Sequence, residues 1–573
     1  MKKQLDFLWD DKPINVTAEV NMIWSIANKL RGTYQSDKYK NVIIPMTIIR
    51  RFECALEGTK KQVVAYVAKN PTAPEARLFK ESGFQFFNKS EFTLKELCND
   101  PDNMAGNFKE YIHGFSSKIQ DIINRLEFDS EIDKMDENDC LFTVVQAFSE
   151  VDLNPSTIDS MKMGYIFEDL IRRFSENAEA GDHYTGRDII KLMVMLLLSE
   201  GCEDVFTDGK VTTILDQACG TGGMLSTAHN TIKHFCPNAE LVLFGQEINP
   251  ESYAMCVAEM MIKGQSADNI RFQDTMKADC FPEQKMRFVI ENPPFGTPWG
   301  GKDAKAGTEK AVREEFERRG SGIAGCRWPA GLPATGDMQL LFIQSAINKL
   351  AENGKAAIIE NGSPLFTGGV SSGESQVRRW LLENDYLEAI IALPTDLFYN
   401  TGIATYIWII SKDKLSARKG KVQLIDASGF YKPLRKSLGN KRNEITPEDR
   451  QQVVELYLKF EDNDKSQIYD NEEFMYREYT VKSKSQGTKD TERVPYKVKI
   501  EDYMKREVLP YVPDAVATFE ENLAKKKPVI KTGAEFPFTR YFYSYEQTRD
   551  SKEVLAEIVA LQSEIAKGFE ELA

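Results

Sequence analysis

The sequence predicts an α/β fold with a largely parallel sheet covered by helices on both faces. Short apolar runs alternate with helical segments from about residue 187 onwards, and many of these runs are apolar at nearly every position. A strand that is apolar throughout is buried on both faces, which is typical of parallel sheets. The candidate strands are residues 211–216, 240–247, 270–274, 287–292, 355–361, 387–394, 404–411 and 421–427.

The regions on either side of this pattern indicate further domains. Apolar residues at helical spacing, as in residues 108–126, predict an N-terminal helical domain over residues 1–155. The alternating strands and helices predict a second domain over residues 156–430. Residues 431–573 are polar and charged and show few strand signals, so they predict a mixed or helical extension.

Two segments stand apart from these domains. Residues 297–336 have no strand signal and are rich in Gly, Lys and Glu, which predicts a long surface insertion that is either functional or disordered. The last 23 residues predict an amphipathic helix that would bind a partner helix or pack on its own domain. Its positions three or four apart are Leu555, Ile558, Gln562, Ile565, Phe569 and Leu572.

The charge balance limits the classes of function. The chain carries 73 basic and 87 acidic residues, a formal net charge of −14. Phosphate contacts supply much of the affinity of nucleic-acid-binding proteins, so a chain that grips nucleic acid alone usually has a basic face. The acidic balance therefore indicates either a small-molecule enzyme or a chain whose partner supplies much of that grip.

Cysteine usage and apolar runs indicate a cytoplasmic protein without a metal site. Nine cysteines are scattered without CxxC spacing, which predicts reduced thiols instead of disulfides or zinc ligands. The longest apolar run, Leu192–Leu198, is far shorter than a membrane span, and the first residues lack the apolar run of a secretory signal.

A glycine-rich turn follows the first predicted strand. In ILDQACGTGGML the strand ends at Asp216, and a helix begins after Gly220, Thr221, Gly222 and Gly223. Glycines allow a ligand to approach the backbone closely, and the helix N-terminus offers free N–H donors. The spacing is not GxGxxG, which argues against a standard dinucleotide site. Taken alone, the turn could also serve tight packing.

Acidic residues end the next two predicted strands. Glu247 ends the second strand, 25 residues after Gly222, close to the separation at which a carboxylate accepts hydrogen bonds from ribose hydroxyls. Asp274 ends the third strand and could accept from the exocyclic amine of an adenine. Acids at the ends of successive parallel strands share one rim of the sheet, where open α/β folds bind ligands. The set predicts a nucleoside-containing cofactor.

The motif NPPF follows the fourth predicted strand. Pro293 and Pro294 restrict the backbone and remove two N–H donors, which holds the neighbouring carbonyl rigidly. That carbonyl and the side-chain oxygen of Asn292 could accept both hydrogens of an amine and leave its lone pair free. Phe295 offers a face on which a planar base could stack, worth about 1–3 kcal/mol.

These motifs, in this order, resemble the γ-class amino methyltransferases of DNA. The resemblance is closest to the modification subunits of type I restriction–modification systems. It includes WSIANKLRGTYQSDKYKNVIIPMTIIRRF, GYIFEDLIRRFSENAEAGDHYTGRDIIKLMV, GDMQLLFIQSAINKLAENGKAAII and LPTDLFYNTGIATYIWIISK, and it covers roughly residues 20–430.

The resemblance implies roles for individual positions. Gly220 to Gly223 would line the methionine and ribose of S-adenosyl-L-methionine, with Glu247 on the ribose and Asp274 on the adenine. Phe398 matches an aromatic that holds the target base against Phe295. The segment that closes over the methionine end of the cofactor corresponds to Asp182, His183, Tyr184, Thr185, Gly186 and Arg187. The family usually has proline at the position of Gly186.

The implied fold and reaction are those of an S-adenosylmethionine-dependent methyltransferase with a Rossmann-like sheet. The chain would methylate N6 of adenine in double-stranded DNA after swinging the base out of the helix. Asn292 and the Pro293 carbonyl would hold the amine, the proton would leave to water, and no metal would be needed.

The sequence lacks parts that a complete restriction system needs. It contains no GxxxxGK[ST] motif, no nuclease motif and no evident target-recognition domain. The resemblance therefore implies a separate specificity subunit, with two copies of this chain for each, and a separate restriction or translocase subunit. The alternatives are methylation of N4 of cytosine, methylation of a protein glutamine, and a silent scaffold within a DNA-binding complex.

Overall fold

The structure is a computed structural model in which two compact units are distinguished, Met1–Phe536 and Pro537–Ala573. The ranges it describes are residues 6–10, 14–175, 185–318, 326–399, 401–483, 485, 487, 489–525, 527–543 and 550–572. The division of the sequence into three domains stays a prediction.

The N-terminal part of the chain is helical, as predicted. Its helices pack apolar faces around a common core to which Ile23, Ile49, Phe108 and Val144 contribute. The helices are α1 (Thr17–Ala27), α2 (Lys40–Leu56), α3 (Lys60–Lys69), α4 (Glu75–Ser82), α5 (Leu94–Leu97), α6 (Met104–His113), α7 (Ser117–Arg125), α8 (Phe128–Glu137) and α9 (Leu141–Ser149).

A nine-stranded sheet forms the centre of the larger unit. Its strands are β1 (Val211–Asp216), β2 (Glu240–Glu247), β3 (Ile270–Phe272), β4 (Met286–Glu291), β5 (Leu350–Asn361), β6 (Leu387–Ala392), β7 (Thr405–Ser411), β8 (Lys421–Asp426) and β11 (Ser466–Asp470). They are ordered β11-β8-β6-β7-β5-β4-β1-β2-β3. Neighbours pair in parallel except where β7 and β11 are involved, which confirms the predicted fold class.

Helices cover both faces of this sheet. Every residue of β4, β6 and β7 is buried, so neither face of these strands meets solvent. The α-helices in this part of the chain are α10 (Ser160–Ser175), α11 (Arg187–Ser199), α12 (Gly223–Phe235), α13 (Pro250–Ile262), α14 (Thr308–Arg318), α15 (Gln339–Lys349), α16 (Ser363–Phe366), α17 (Gly373–Glu383) and α18 (Pro447–Lys459).

The strand order opens a crevice between β1 and β4. The chain runs from β1 outwards to β2 and β3, and then crosses back to place β4 on the other side of β1. The loops after β1 and β4 therefore lead away from each other. Ligands of open α/β sheets bind at such a switch point, outside the carboxyl ends of the strands.

The described part of residues 297–336 contains no strand, as the sequence predicts, and this insertion also buries several of its own side chains. Trp299, Val312 and Trp328 are fully buried and pack with Met276 and Leu341 beneath the sheet rim. The segment forms its own apolar cluster because its tryptophans, widely spaced in sequence, meet in the folded chain. Because these apolar residues do not recur at helix or strand spacing, the sequence pattern does not predict such a cluster.

The C-terminal region is mixed, as predicted, but it contains more strands than the sequence indicates. This region contains the hairpin of β9 (Lys432–Leu438) and β10 (Lys441–Glu444), and a sheet of β12 (Met475–Ser483), β13 (Lys489–Pro495), β14 (Ala515–Thr518) and β15 (Thr532–Ala534). Much of β9 and β13 is exposed. Strands that bury few side chains lack the apolar pattern by which sequence reasoning detects strands.

The remaining helices are α19 (Ile500–Tyr503), α20 (Phe538–Tyr541) and α21 (Ser551–Leu572). Leu555, Ile558 and Ile565 of α21 are exposed apolar side chains, as a partner-binding helix would have them. Within the described ranges, no helix is long and apolar enough to span a membrane.

Replacing Trp328 by alanine should lower the free energy of unfolding by about 3–5 kcal/mol, because the buried indole would leave a cavity. Urea denaturation followed by circular dichroism measures this change. The control is Phe366→Ala, whose side chain is 58% exposed and whose loss should change stability by less than about 0.5 kcal/mol. Equal losses in the two variants would contradict the packing of this segment.

Candidate active site

The predicted polar residues converge on one rim of the sheet. Asp216 is the last residue of β1, Glu247 the last of β2, and Asp274 follows β3 by two residues. Asn292 follows β4 directly. Because β4, β1, β2 and β3 are parallel neighbours, their carboxyl ends meet at this rim.

The glycine-rich turn after β1 packs closely on one side and is open on the other. Gly220 and Gly222 have positive φ values of 52° and 84°, a conformation that favours glycine. A Cβ on Gly222 would lie 2.7 Å from the sulfur of Cys256 on α13. A Cβ on Gly220 would have no atom within 4 Å. The turn that contains Thr221 and Gly223 is therefore tightly packed at Gly222 and open at Gly220.

Glu247 ties this turn to β2. Its Oε2 accepts a hydrogen bond from the Gly220 N–H at 2.8 Å. Its Oε1 accepts from the N–H groups of Ile248 and Asn249 at 2.8 and 2.6 Å. These donors fix the orientation of a buried carboxylate at the edge of the turn.

Asp274 contacts the insertion over residues 297–336. Its Oδ2 accepts a hydrogen bond from the Thr308 hydroxyl at 2.9 Å, and its Oδ1 accepts from the Met276 N–H at 2.9 Å. The start of α14 is thereby attached to the third strand end. Sequence reasoning missed Thr308, since nothing in its surroundings indicates this partner.

Asn292 is buried, and only one of the two polar atoms of its side chain forms a hydrogen bond with the described residues. Its Nδ2 donates to the Thr185 hydroxyl at 2.9 Å, and Thr185 is itself buried. Its Oδ1 has no hydrogen-bond partner within the part of the chain that the structure describes. Buried oxygens are nearly always paired, so an unpaired one indicates a function. The neighbouring Pro293 is also buried, and Pro294 is half-buried.

Phe295 and Phe398, the two aromatic residues that the resemblance pairs, lie together. Their ring centroids are 6.4 Å apart and their planes meet at 83°, an edge-to-face arrangement. Phe295 is half-buried, whereas Phe398 is fully buried. Rings at this angle pack against each other and do not enclose a planar base between parallel faces.

The predicted cofactor-closing segment is described only in part. Asp182, His183 and Tyr184 lie outside the described residues. Arg187 lies 3.7 Å from the centroid of the Tyr165 ring. Gly186 precedes α11, and a Cβ there would overlap Oδ1 of Asp188. This carboxylate bonds Lys441, which accounts for glycine at a position where the family usually has proline.

Two buried acids beneath the rim, Glu291 and Glu360, were not predicted as part of the site, whereas Asp216 was. Burial raises the pKa of Asp216 to about 8, although the Ala218 N–H bonds the carboxylate. Burial and the nearby Asp216 raise the pKa of Glu291 to about 8, and burial raises the pKa of Glu360 well above its ordinary value. At neutral pH the residue before Asn292 is therefore largely uncharged, which keeps a negative charge away from this loop.

Comparison with known proteins decides the family. The model of the N-6 DNA methylase family matches residues 158–493. The chain belongs to the N-6 DNA methylase family. Its activity is methylation of the N6 amine of adenine in DNA, so the predicted reaction is confirmed. The model of the HsdM N-terminal domain matches residues 20–148.

Individual relatives agree with this assignment. The chain is 26% identical to the methylase subunit of the type I restriction enzyme MjaIX of Methanocaldococcus jannaschii, over 84% of this chain and 86% of that protein. The type I methyltransferase subunit of Streptococcus thermophilus has the same fold, with a TM-score of 0.63, 21% identity and coverage of 80% and 97%. A modification subunit of a putative type I restriction enzyme from Vibrio vulnificus YJ016 has a TM-score of 0.53 and 15% identity, over 87% of this chain and 99% of that chain. The predicted modification-subunit identity is confirmed.

The pKa of Glu291 leads to a prediction about stability. The pKa of Glu291 is about 8 in the folded protein and 4.5 in the unfolded chain. Between pH 4.5 and pH 8, folding is therefore accompanied by uptake of a proton at Glu291. The stability that the protonated Glu291 contributes is fully present below pH 4.5, and it is lost as the pH rises through about 8. Glu291→Gln removes this dependence. Its melting temperature relative to wild type should therefore rise between about pH 5 and pH 9.

The control for this measurement is Glu352→Gln, which changes an exposed carboxylate near the start of β5. Its melting temperature should stay at a constant difference from wild type over the same pH range. A constant difference for Glu291→Gln as well would show that Glu291 is charged in the folded protein.

Proposed function

We propose that the chain transfers the methyl group of S-adenosyl-L-methionine to adenine N6 at the rim formed by β4, β1, β2 and β3, in double-stranded DNA. The observation that carries this proposal is the Oδ1 of Asn292, which is buried at the end of β4 and accepts no hydrogen bond from the residues that the structure describes. A buried acceptor held at a strand end is suited to an amine that arrives with its own hydrogens.

The residues around the turn fit the cofactor. The open side of Gly220 leaves room for a ligand, and the bonded carboxylate of Glu247 has further lone pairs for ribose hydroxyls. Asp274, held by Thr308, would accept from the adenine amine of the cofactor. Asp216, the turn from Gly220 to Gly223, and the segment 182–187 complete the proposed site. S-adenosyl-L-methionine, when bound, supplies the methyl group as an electrophile.

Asn292 and Pro293 orient the target amine. The Asn292 Oδ1 and the Pro293 carbonyl oxygen each accept one amine hydrogen, which turns the nitrogen lone pair away from the ring. The hydrogen bond from Nδ2 to the Thr185 hydroxyl holds the amide in place and leaves Oδ1 for the amine. Positioning and preset dipoles supply the catalysis, and the amine proton leaves to water after transfer.

The target adenine must leave the DNA stack to reach Asn292, at a cost of a few kcal/mol. Phe295 offers a half-buried ring beside Asn292 that would stack on the base. Phe398 would complete the stack only after one of the two rings turns, because they now meet at 83°. Binding of the base would bring about this turn.

The chain would work with other subunits. A separate specificity subunit would choose the DNA sequence, with two copies of this chain for each, and a restriction or translocase subunit would join them. The net charge of −14 supports a shared grip on DNA, since this chain alone has an acidic balance. The exposed apolar residues of α21 suit a helix of such a partner.

Glu247→Ala should weaken binding of S-adenosyl-L-methionine about tenfold or more, because hydrogen bonds to a charged group contribute about 1.5–3 kcal/mol. Isothermal titration calorimetry measures the affinity, and the melting temperature reports whether the turn still folds. Glu240→Ala, at the exposed start of the same strand, is the matched control and should bind normally. Unchanged affinity in Glu247→Ala would remove Glu247 from the proposed site.

Asn292→Ala should lower the methylation rate at least a hundredfold, as expected for losing a group aligned with the reacting atom. The chain and its specificity subunit are co-expressed in cells without adenine methylation, and N6-methyladenine is quantified in digested DNA by mass spectrometry. Asn99→Ala, an exposed change among the N-terminal helices, is the control.

The chain expressed alone should give no site-specific methylation. Methylation by the chain alone would exclude the need for a specificity subunit. A complex that binds cofactor and DNA but yields no N6-methyladenine would favour the scaffold alternative.

A further inference from the structure

The hairpin of β9 and β10 concentrates positive charge in an acidic chain. Residues 431–442 contain five basic residues and no acidic one, although acidic residues outnumber basic ones overall. Lys432, Arg435, Lys436 and Arg442 are exposed. None of these four forms an ion pair with any other described residue.

Burial of apolar side chains does not account for this hairpin. Both faces of β9 are largely exposed, and its two leucines, Leu434 and Leu438, are only half-buried. A two-stranded hairpin without an apolar face is marginally stable by itself. Its exposed surface also lacks the apolar centre on which a protein partner would pack.

Hydrogen bonds attach the hairpin to the segment that carries Phe398. The Asn440 N–H donates to the Tyr399 carbonyl at 2.7 Å, and the Arg442 N–H donates to the Asp396 carbonyl at 2.9 Å. Gly439 has a φ of +60°, and a Cβ there would lie 2.5 Å from the Tyr399 oxygen. The hairpin tip is therefore pressed against the backbone on either side of Phe398.

Lys441 connects the hairpin to the opposite side of the site. This buried side chain donates to the Leu397 carbonyl at 3.1 Å and pairs with Asp188 at 2.9 Å. Asp188 lies in the first turn of α11, three residues after Thr185, which bonds Asn292. The fifth basic residue thus fixes the hairpin beside the proposed base pocket and leaves the other four facing outwards.

We propose that Lys432, Arg435, Lys436 and Arg442 bind the phosphates of the DNA strand that carries the target adenine, next to the flipped nucleotide. This inference rests on the proposed function, because a base held between Asn292 and Phe295 brings its own backbone to this edge of the site. Four unpaired cations match that polyanion in charge. Such contacts position the strand and carry no sequence information.

The test compares two variants of the chain in complex with its specificity subunit. The first is K432Q/R435Q/K436Q/R442Q, which keeps Lys441 and the backbone contacts. The control is K61Q/K69Q/K89Q/K95Q, which removes the same number of exposed positive charges from the N-terminal helical region. Fluorescence anisotropy measures binding to DNA containing the recognition site, at NaCl concentrations between about 50 and 200 mM.

The hairpin variant should bind DNA with a weaker dependence on salt. Each lost phosphate contact lowers the slope of log K against log salt by about 0.9, so the slope should fall by about 2–4. The control should keep the wild-type slope. Binding of S-adenosyl-L-methionine should be unchanged in both variants, since neither alters the glycine turn.

Two outcomes would overturn this inference. One is a hairpin variant with the wild-type salt slope. The other is loss of the specificity subunit from the purified complex, which would make the hairpin a protein interface. N6-methyladenine is measured on the same samples. DNA binding by wild type without methylation would therefore remove the proposed function, while the salt slope still tests the hairpin.

Discussion

The parallel pairing of β4 with β1 is the constraint on which the rest of the site depends. It places Asn292 and the glycine turn at neighbouring strand ends, on the two sides of the point where the chain reverses its direction across the sheet. A buried amide oxygen without a partner costs about 1–3 kcal/mol. The strand end and the hydrogen bond from Nδ2 to the Thr185 hydroxyl hold the Asn292 side chain in this position.

The central sheet could be predicted from sequence because its strands are apolar throughout. The predicted ends of β1 and β2 agree with the structure to the residue. Asp216 and Glu247, which end these strands, share a rim as the parallel arrangement requires. Their positions follow from backbone geometry alone. The same reasoning placed Asn292, since it depends only on where β4 stops.

The rest of the site could not be predicted, because it depends on contacts between residues far apart in sequence. The hydrogen bond from Thr308 to Asp274 joins residues 34 apart in sequence, and Trp299 and Trp328 meet in a cluster that follows no sequence period. The angle between the rings of Phe295 and Phe398 is a matter of local packing. Glu291 did leave a signal, an acid at the end of a fully buried strand, and its uncharged state follows from that burial.

The ion pair between Lys441 and Asp188 has a consequence for synthesis of the protein. Its partners are 253 residues apart in sequence. During translation, the start of α11 leaves the ribosome well before the hairpin that neutralises Asp188, and domains otherwise fold as they emerge. The nascent chain therefore holds the strand ends and the glycine turn before the loop carrying Phe398 is anchored. Completion of the site is delayed until nearly four-fifths of the chain has been made.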